Sequence, residues 1–137
     1  MIDEKSFIQR NINEIVEVIK GDIITESVNR KVTAIVNAAK PTLMGGSGVD
    51  GAIHKKMDEL LNNNGEDGKN SFNDKIKQAL DNEKVLPDNT VRCQRGEAKI
   101  TENGEEVTKK KFPRYIIHAV GPKYDGGSEC VQTLARC

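Results

Sequence analysis

Ala34-Ile-Val-Asn37-Ala-Ala-Lys40-Pro-Thr-Leu-Met-Gly45-Gly46-Ser47-Gly48-Val49-Asp50-Gly51-Ala-Ile-His54 reads as a buried strand, a glycine loop and the opening of a helix. The small apolar run from Thr33 to Ala39 has the composition of a strand buried on both faces, and Pro41 ends it. Beyond the loop, Val49, Ala52, Ile53, Met57, Leu60 and Leu61 fall at offsets that mark one face of an amphipathic helix. A helix entered through flexible glycines presents unpaired backbone N–H groups and the positive end of its dipole. Such an N-terminus binds anions, most often phosphate. Asp50 stands at the mouth of this cradle, where a loop serving phosphate alone would not want a negative charge. A phosphate cradle beside a carboxylate points to a phosphorylated sugar or nucleotide as ligand.

Working outward, strands and helices alternate without an internal repeat. Ile15–Ile19 reads as a strand ended by Gly21-Asp22, and Thr25–Asn29 as a short helix. Phe72, Ile76, Ala79 and Leu80 mark a second amphipathic helix, and Pro87-Asp-Asn89 a turn. Gly96–Thr101 and Tyr115–Val120 read as strands. Glu102–Lys111 reads as a polar loop whose Lys109-Lys110-Lys111 run is a solvated face. Residues 1–13 are polar, with Phe7 and Ile8 as anchors, and a last helical stretch follows Gly126-Gly127 through Leu134. The pattern predicts an α/β fold with helices on both faces of a largely parallel sheet.

Composition narrows the class further. The 137 residues fit one domain. With no Trp and only 4% aromatics, its core must be built from Ile, Val, Leu and Ala. Lys+Arg and Asp+Glu cancel at 21 each, which argues against bulk nucleic-acid binding or membrane affinity. Three unevenly spaced Cys make neither a disulfide framework nor a zinc pattern and suit a reduced compartment. The first residues, Met-Ile-Asp-Glu-Lys-Ser, carry neither an apolar signal core nor a twin-arginine signal, and no apolar run approaches the ~20 residues of a membrane helix. The expectation is an intracellular protein, cytoplasmic or nuclear, with no metal and no redox cofactor.

The glycine loop matches no common nucleotide motif. Gly46-x-Gly48-x-x-Gly51 has the form of the dinucleotide fingerprint. However, Lys40-Pro-Thr-Leu-Met separates it from the strand, and Asp50 inside it would confront a pyrophosphate. No Gly-Lys-Ser/Thr follows, so it is no Walker loop.

Ile35-Val-Asn-Ala-Ala39 followed by Leu43-Met-Gly-Gly-Ser-Gly-Val-Asp-Gly-Ala-Ile-His54 closely resembles the first ligand loop of macrodomains, which are ADP-ribose-binding modules. The match is closest to the MacroD-type branch, which hydrolyses mono-ADP-ribose from acidic side chains. Three further blocks agree in order. Gly21-Asp22-Ile23 resembles the family's adenine corner. Cys93-Gln-Arg-Gly-Glu-Ala-Lys-Ile-Thr101 and Tyr115-Ile-Ile-His-Ala-Val-Gly-Pro122 resemble two of its strands. The resemblance implies a macrodomain-like three-layer α/β/α sandwich with a mixed, largely parallel sheet, spanning residues 1–137 as one domain. It implies ADP-ribose, free or on a mono-ADP-ribosylated protein, as partner. It also implies hydrolysis of the ester to acidic residues, against the alternative of a non-catalytic reader module.

The resemblance implies Asp50 as the catalytic residue. The implied ligand-binding residues are Asp22, Ile23, Asn37, Lys40, Gly45, Gly46, Ser47, Gly48 and Val49. Asp22 either accepts from the adenine amine or caps the following helix, and Ile23 can offer its N–H to a ring nitrogen. Asn37 either meets ribose hydroxyls or is satisfied by backbone. His54 and His118 stand beside no Ser or Cys nucleophile and read as structural, as does Cys93.

Two departures stand out. The family's catalytic branch has Asn where this chain has Lys40, whose ammonium only donates and which could pair with Asp50. The family also carries a second phosphate loop and a further strand after the helix that begins near Gly127, and the sequence stops at Cys137. The resemblance therefore implies an incomplete sheet, finished by a complementing chain, a swapped copy or the rest of a larger protein, against the alternative of a reduced domain whose first strand moves in to close the gap.

Overall fold

The computed structural model describes residues 15–62, 71–82, 84, 86–123, 127, 130, 132 and 133. Seven elements follow in order: α1 (Ile23–Asn29), β1 (Ala34–Ala38), α2 (Gly48–Asn62), α3 (Phe72–Leu80), β2 (Glu97–Glu102), α4 (Glu105–Thr108) and β3 (Tyr115–Val120). The sheet order is β1-β3-β2. β1 runs parallel to β3, pairing Asn37 with His118, and β2 runs antiparallel to β3, pairing Lys99 with His118. The sheet is mixed, with one pair of each kind.

Side chains alternate across a strand, so the register sorts them into two faces. On one face stand Ile35, Asn37, Ile116, His118, Val120 and Thr101, all buried. Ile53, Met57, Leu60 and Leu61 of α2 and Phe72 and Ile76 of α3 complete the core against that face, with Ile23, Ile24 and Val28 of α1 packed at its margin. Each fully buried aliphatic side chain contributes about 1.5–3 kcal/mol.

The other face differs from expectation. Val36 is 56% exposed and Ile100 58%. β1 is therefore covered on one side, not both, because among the described residues no helix lies over Val36.

Three further expectations are corrected. Residues 16–20 carry no regular structure, and Val18 is 93% exposed. A strand needs a ladder partner, and the stretch pairs with no strand among the described residues. Glu17 instead bonds Arg30, just past α1, at 2.9 Å. The polar loop Glu102–Lys111 contains a helical turn, α4, because Val107 is buried in the core and draws the segment down. The lysine run is not wholly solvated either, since Lys110 Nζ donates to the carbonyl of Leu60. Of the last expected helix, Cys130, Gln132 and Thr133 are helical. The rest of it, with Phe7, Ile8 and Cys137, lies outside the described residues. Among the described residues no helix is long and apolar enough to cross a membrane.

The loop between β1 and α2 is held from both sides. Arg92 and Cys93 both donate backbone N–H groups to Pro41 O, at 2.9 and 3.0 Å. The Arg92 side chain, 2% exposed, forms a bidentate pair with Asp81 at 2.8 and 2.9 Å and donates to the carbonyl of Thr42. Leu43 takes a left-handed φ of 59° while fully buried. That unfavourable backbone for a non-glycine residue is sustained by the burial of its side chain.

Candidate functional site

The carboxylate of Asp50, in the first turn of α2, lies behind the glycine loop rather than in solvent and is 3% exposed. Its Oδ1 accepts from Asn37 Nδ2 at 2.8 Å and lies 3.4 Å from His54 Nε2, one turn along the same helix. Asn37 Nδ2 uses its second hydrogen toward His118 Nδ1 at 3.3 Å. An amide nitrogen only donates, so His118 Nδ1 must accept and its Nε2–H donates to Thr101 Oγ1 at 3.0 Å. Burial, with neighbouring His54, pushes the His118 imidazolium down to about 4, and Asp50 only partly offsets this. His54 is also pushed below the usual histidine range, by burial first, against the opposing pull of Asp50.

Three buried polar atoms remain without a hydrogen-bond partner, the oxygens Asn37 Oδ1 and Asp50 Oδ2 and the ring nitrogen His54 Nε2. A buried acceptor left unpaired costs roughly 1–3 kcal/mol. Their gathering on one strand end and one helix start makes the pocket hungry for hydrogen-bond donors.

The loop glycines are dictated by packing. A Cβ at Gly45, whose φ is +82°, would sit 3.0 Å from the His54 ring. A Cβ at Gly46 would sit 2.7 Å from Lys40 Cε and 3.1 Å from Asp50 Oδ2. One at Gly51 would lie 2.5 Å from the Gly46 carbonyl oxygen. Gly48 opens α2 with φ +63° beside open space. Ser47, Gly48 and Val49 are exposed, so the first-turn N–H groups of α2, which lack intrahelical acceptors, stand beside solvent.

The scan against family models matches the chain to the Macro domain over residues 36–137. This chain belongs to the macrodomain family. A macro domain-containing protein of Vibrio parahaemolyticus is 39% identical over 110 residues, covering 80% of this chain and 49% of that protein. An O-acetyl-ADP-ribose deacetylase of Salmonella typhimurium is 39% identical over 111 residues, 81% of this chain and 47% of the relative. Among solved structures, the Oceanobacillus iheyensis macrodomain with ADP aligns with a TM-score of 0.53 at 31% identity, covering 85% of this chain and 50% of that one. A mutant of that macrodomain with ADPR aligns at the same TM-score. The chain thus spans about half the length of the relatives it matches.

Within this macrodomain the site residues expected from sequence divide into groups. Asn37, Asp50, Lys40, Gly45 and Gly46 come together, with Ser47, Gly48 and Val49 on the exposed rim. Lys40 lies against Gly46 and forms no ion pair with Asp50 among the described residues, so the expected pairing is not made. Asp22 and Ile23 lie apart. Asp22 caps α1, accepting from Thr25 N at 3.0 Å and Thr25 Oγ1 at 3.2 Å, both on Oδ1. These bonds, the backbone one foremost, hold its carboxyl below the usual range. Ile23 starts α1, so its N–H has no intrahelical acceptor. Both line a recess of about 340 Å³ with Ile19, Val32 and Ile35, and none of its lining residues belongs to the glycine loop.

His54, which the sequence reads as structural, lies against Asp50 and beside the backbone of Gly45. The signal for it was present: four residues after Asp50 on a helix is the same face. Asn73, which bonds His54 Nδ1 at 2.9 Å, carried no sequence signal. Among the described residues no group of three or more His, Cys, Asp or Glu gathers to hold a metal ion.

Proposed function

We propose that this chain binds ADP-ribose, free or attached to a protein, across the glycine loop, with the distal ribose over Asp50. The carrying observation is the cluster of three buried polar atoms without a partner, Asn37 Oδ1, Asp50 Oδ2 and His54 Nε2, beside the N-terminus of α2. Phosphate satisfies the N–H groups of the helix start, and sugar hydroxyls satisfy the acceptors. The names of the relatives, O-acetyl-ADP-ribose deacetylase and a macrodomain with ADPR, support the same ligand class. The apolar recess at Ile23 and Ile35, with Asp22 on its rim, suits adenine. Calorimetric titration of ADP-ribose and ADP tests this reading. A hydroxyl bonded to the Asp50 carboxylate contributes on the order of 1.5–3 kcal/mol, so ADP-ribose should bind at least tenfold tighter. Equal affinities would refute it.

The free Asp50 Oδ2 also favours turnover over a purely reading role. An unpaired carboxylate oxygen beside the ribose can accept from a water and orient it at the anomeric carbon of an ADP-ribosyl ester. The face exposed at Val36 and Ile100, with the edge of β1 that pairs with no strand among the described residues, favours completion by a polypeptide segment supplying a strand and a helix. Covering each of those side chains would contribute about 1.5–3 kcal/mol. Chain completed in this way should bind ADP-ribose more tightly than residues 1–137 alone, and unchanged affinity would exclude the completion reading.

A further inference from the structure

Asn73, the second residue of α3, meets the ring of His54 from the side away from Asp50. Its Nδ2 donates to the carbonyl of Met44, in the glycine-loop approach, at 3.2 Å. That bond orients the amide, because the reverse orientation would set two carbonyl oxygens against each other. Oδ1 is thereby turned to His54 Nδ1 at 2.9 Å. A carbonyl oxygen only accepts, so Nδ1 carries the hydrogen. A neutral imidazole has one N–H, and Nε2 is therefore a bare lone pair. This accounts for His54 Nε2 having no partner although Asp50 Oδ1 lies 3.4 Å away: both atoms are acceptors.

The ring cannot easily turn away from this arrangement. Phe72 packs edge-on against it, with centroids 4.8 Å apart and planes at 65°. The backbone of Gly45 closes in so near that a Cβ there would touch the ring at 3.0 Å. The start of α3 is itself fixed to α2, since Phe72 N–H donates to Asp58 Oδ1 at 2.8 Å, one turn beyond His54.

We propose that Asn73 is a positioning residue of the site. It holds His54 in the Nδ1–H tautomer, so that Nε2 faces the Asp50 side of the pocket as an acceptor and takes a hydroxyl hydrogen of the bound ligand. That the ligand is ADP-ribose rests on the preceding proposal, whereas the tautomer does not. The same reasoning assigns the chain's two histidines opposite tautomers, because His118 accepts at Nδ1 and donates from Nε2 to Thr101.

The test is nitrogen-15 NMR of the imidazole rings in the ligand-free chain near neutral pH, with His54→Gln to assign the signals. One ring should be protonated at Nδ1 and the other at Nε2. Two rings of the same tautomer would overturn the proposal. Asn73→Ala should switch His54 to the Nε2–H form, donating to Asp50, while Asn73→Asp, which keeps an acceptor, should retain Nδ1–H. An unchanged tautomer in Asn73→Ala would also overturn it. Should the alanine variant fail to fold, the parent spectrum and the aspartate variant still decide. Adding ADP-ribose should shift the His54 Nε2 signal of the parent, and Asn73→Ala should bind roughly tenfold more weakly. Binding that leaves that signal unmoved would overturn the acceptor role. Absence of ADP-ribose binding with the expected tautomers would instead count against the choice of ligand.

Discussion

Acidification should destabilise this protein through His118. The side chain is fully buried, its Nδ1 accepts from Asn37 and its Nε2–H donates to Thr101. Burial lowers its pKa from the ordinary 6.5 to about 4. Below pH 6.5 the unfolded chain therefore takes up a proton that the native chain refuses until about pH 4. The unfolded state binds more protons across that window, so stability falls as the pH falls and is complete above it. Each pH unit costs about 1.4 kcal/mol, which amounts to about 3 kcal/mol across the window from this one group. His54, also held low by burial, contributes with the same sign. Typical domains are stable by only about 5–15 kcal/mol, so the loss is substantial. The damage reaches the site as well. A protonated Nδ1 would face the Asn37 amide donor to donor and free Asn37 from Asp50. Urea unfolding followed in steps from neutrality to about pH 4 measures the slope. In His118→Gln, whose amide can both accept and donate, the slope should lessen by about one proton. A variant that loses stability with acid as steeply as the parent would refute the reasoning, as would a His118 that titrates near 6.5 by NMR.

Other expectations concern the loop and its supports. Arg92→Met strands the buried Asp81 carboxylate, now held below its usual range by Arg92, and should cost about 3–5 kcal/mol in urea unfolding. A loss under ~1 kcal/mol would mean that Asp81 is solvated, as surface pairs are. Gly51→Ala drives a methyl to 2.5 Å from the Gly46 carbonyl oxygen and should cost about 1–3 kcal/mol. Gly121→Ala, with open space around it, should stay within about 0.5 kcal/mol as the control. On a mono-ADP-ribosylated protein substrate, Asp50→Ala should abolish release and Lys40→Asn should raise it, with affinity changing less than rate. Undiminished release by Asp50→Ala would confine Asp50 to a structural role.

Local signals made most of the element order legible. The 3.6-residue spacing of Ile53, Met57, Leu60 and Leu61 marked α2, and the apolar runs around Asn37 and His118 marked two neighbouring strands. The loop glycines and Asp50 stood out because few chemistries need both. Periodicity could not decide which strand face is covered or whether Ile15–Ile19 finds a partner, since both depend on neighbours distant in the chain. Val36, in a run that reads as buried on both faces, is exposed, and so is Val18, in a stretch that reads as a strand. Val107 lay in a segment read as a polar loop, and packing made that segment helical.

The sequence by itself determined the family, the alternation of elements and the residue types at the glycine loop, because each is written in contiguous stretches. Only the tertiary structure decided what those residues do to one another. It left Lys40 beside Gly46 without an ion pair to Asp50 among the described residues, made Asp22 a helix cap and set His54 next to Asp50. It also brought Asn73, 19 residues further along the chain, onto the far side of the His54 ring. The reason is physical. Hydrogen-bond direction, tautomer and desolvation are set by what lies within a few ångströms in space, and burial makes each unmet bond cost enough to matter.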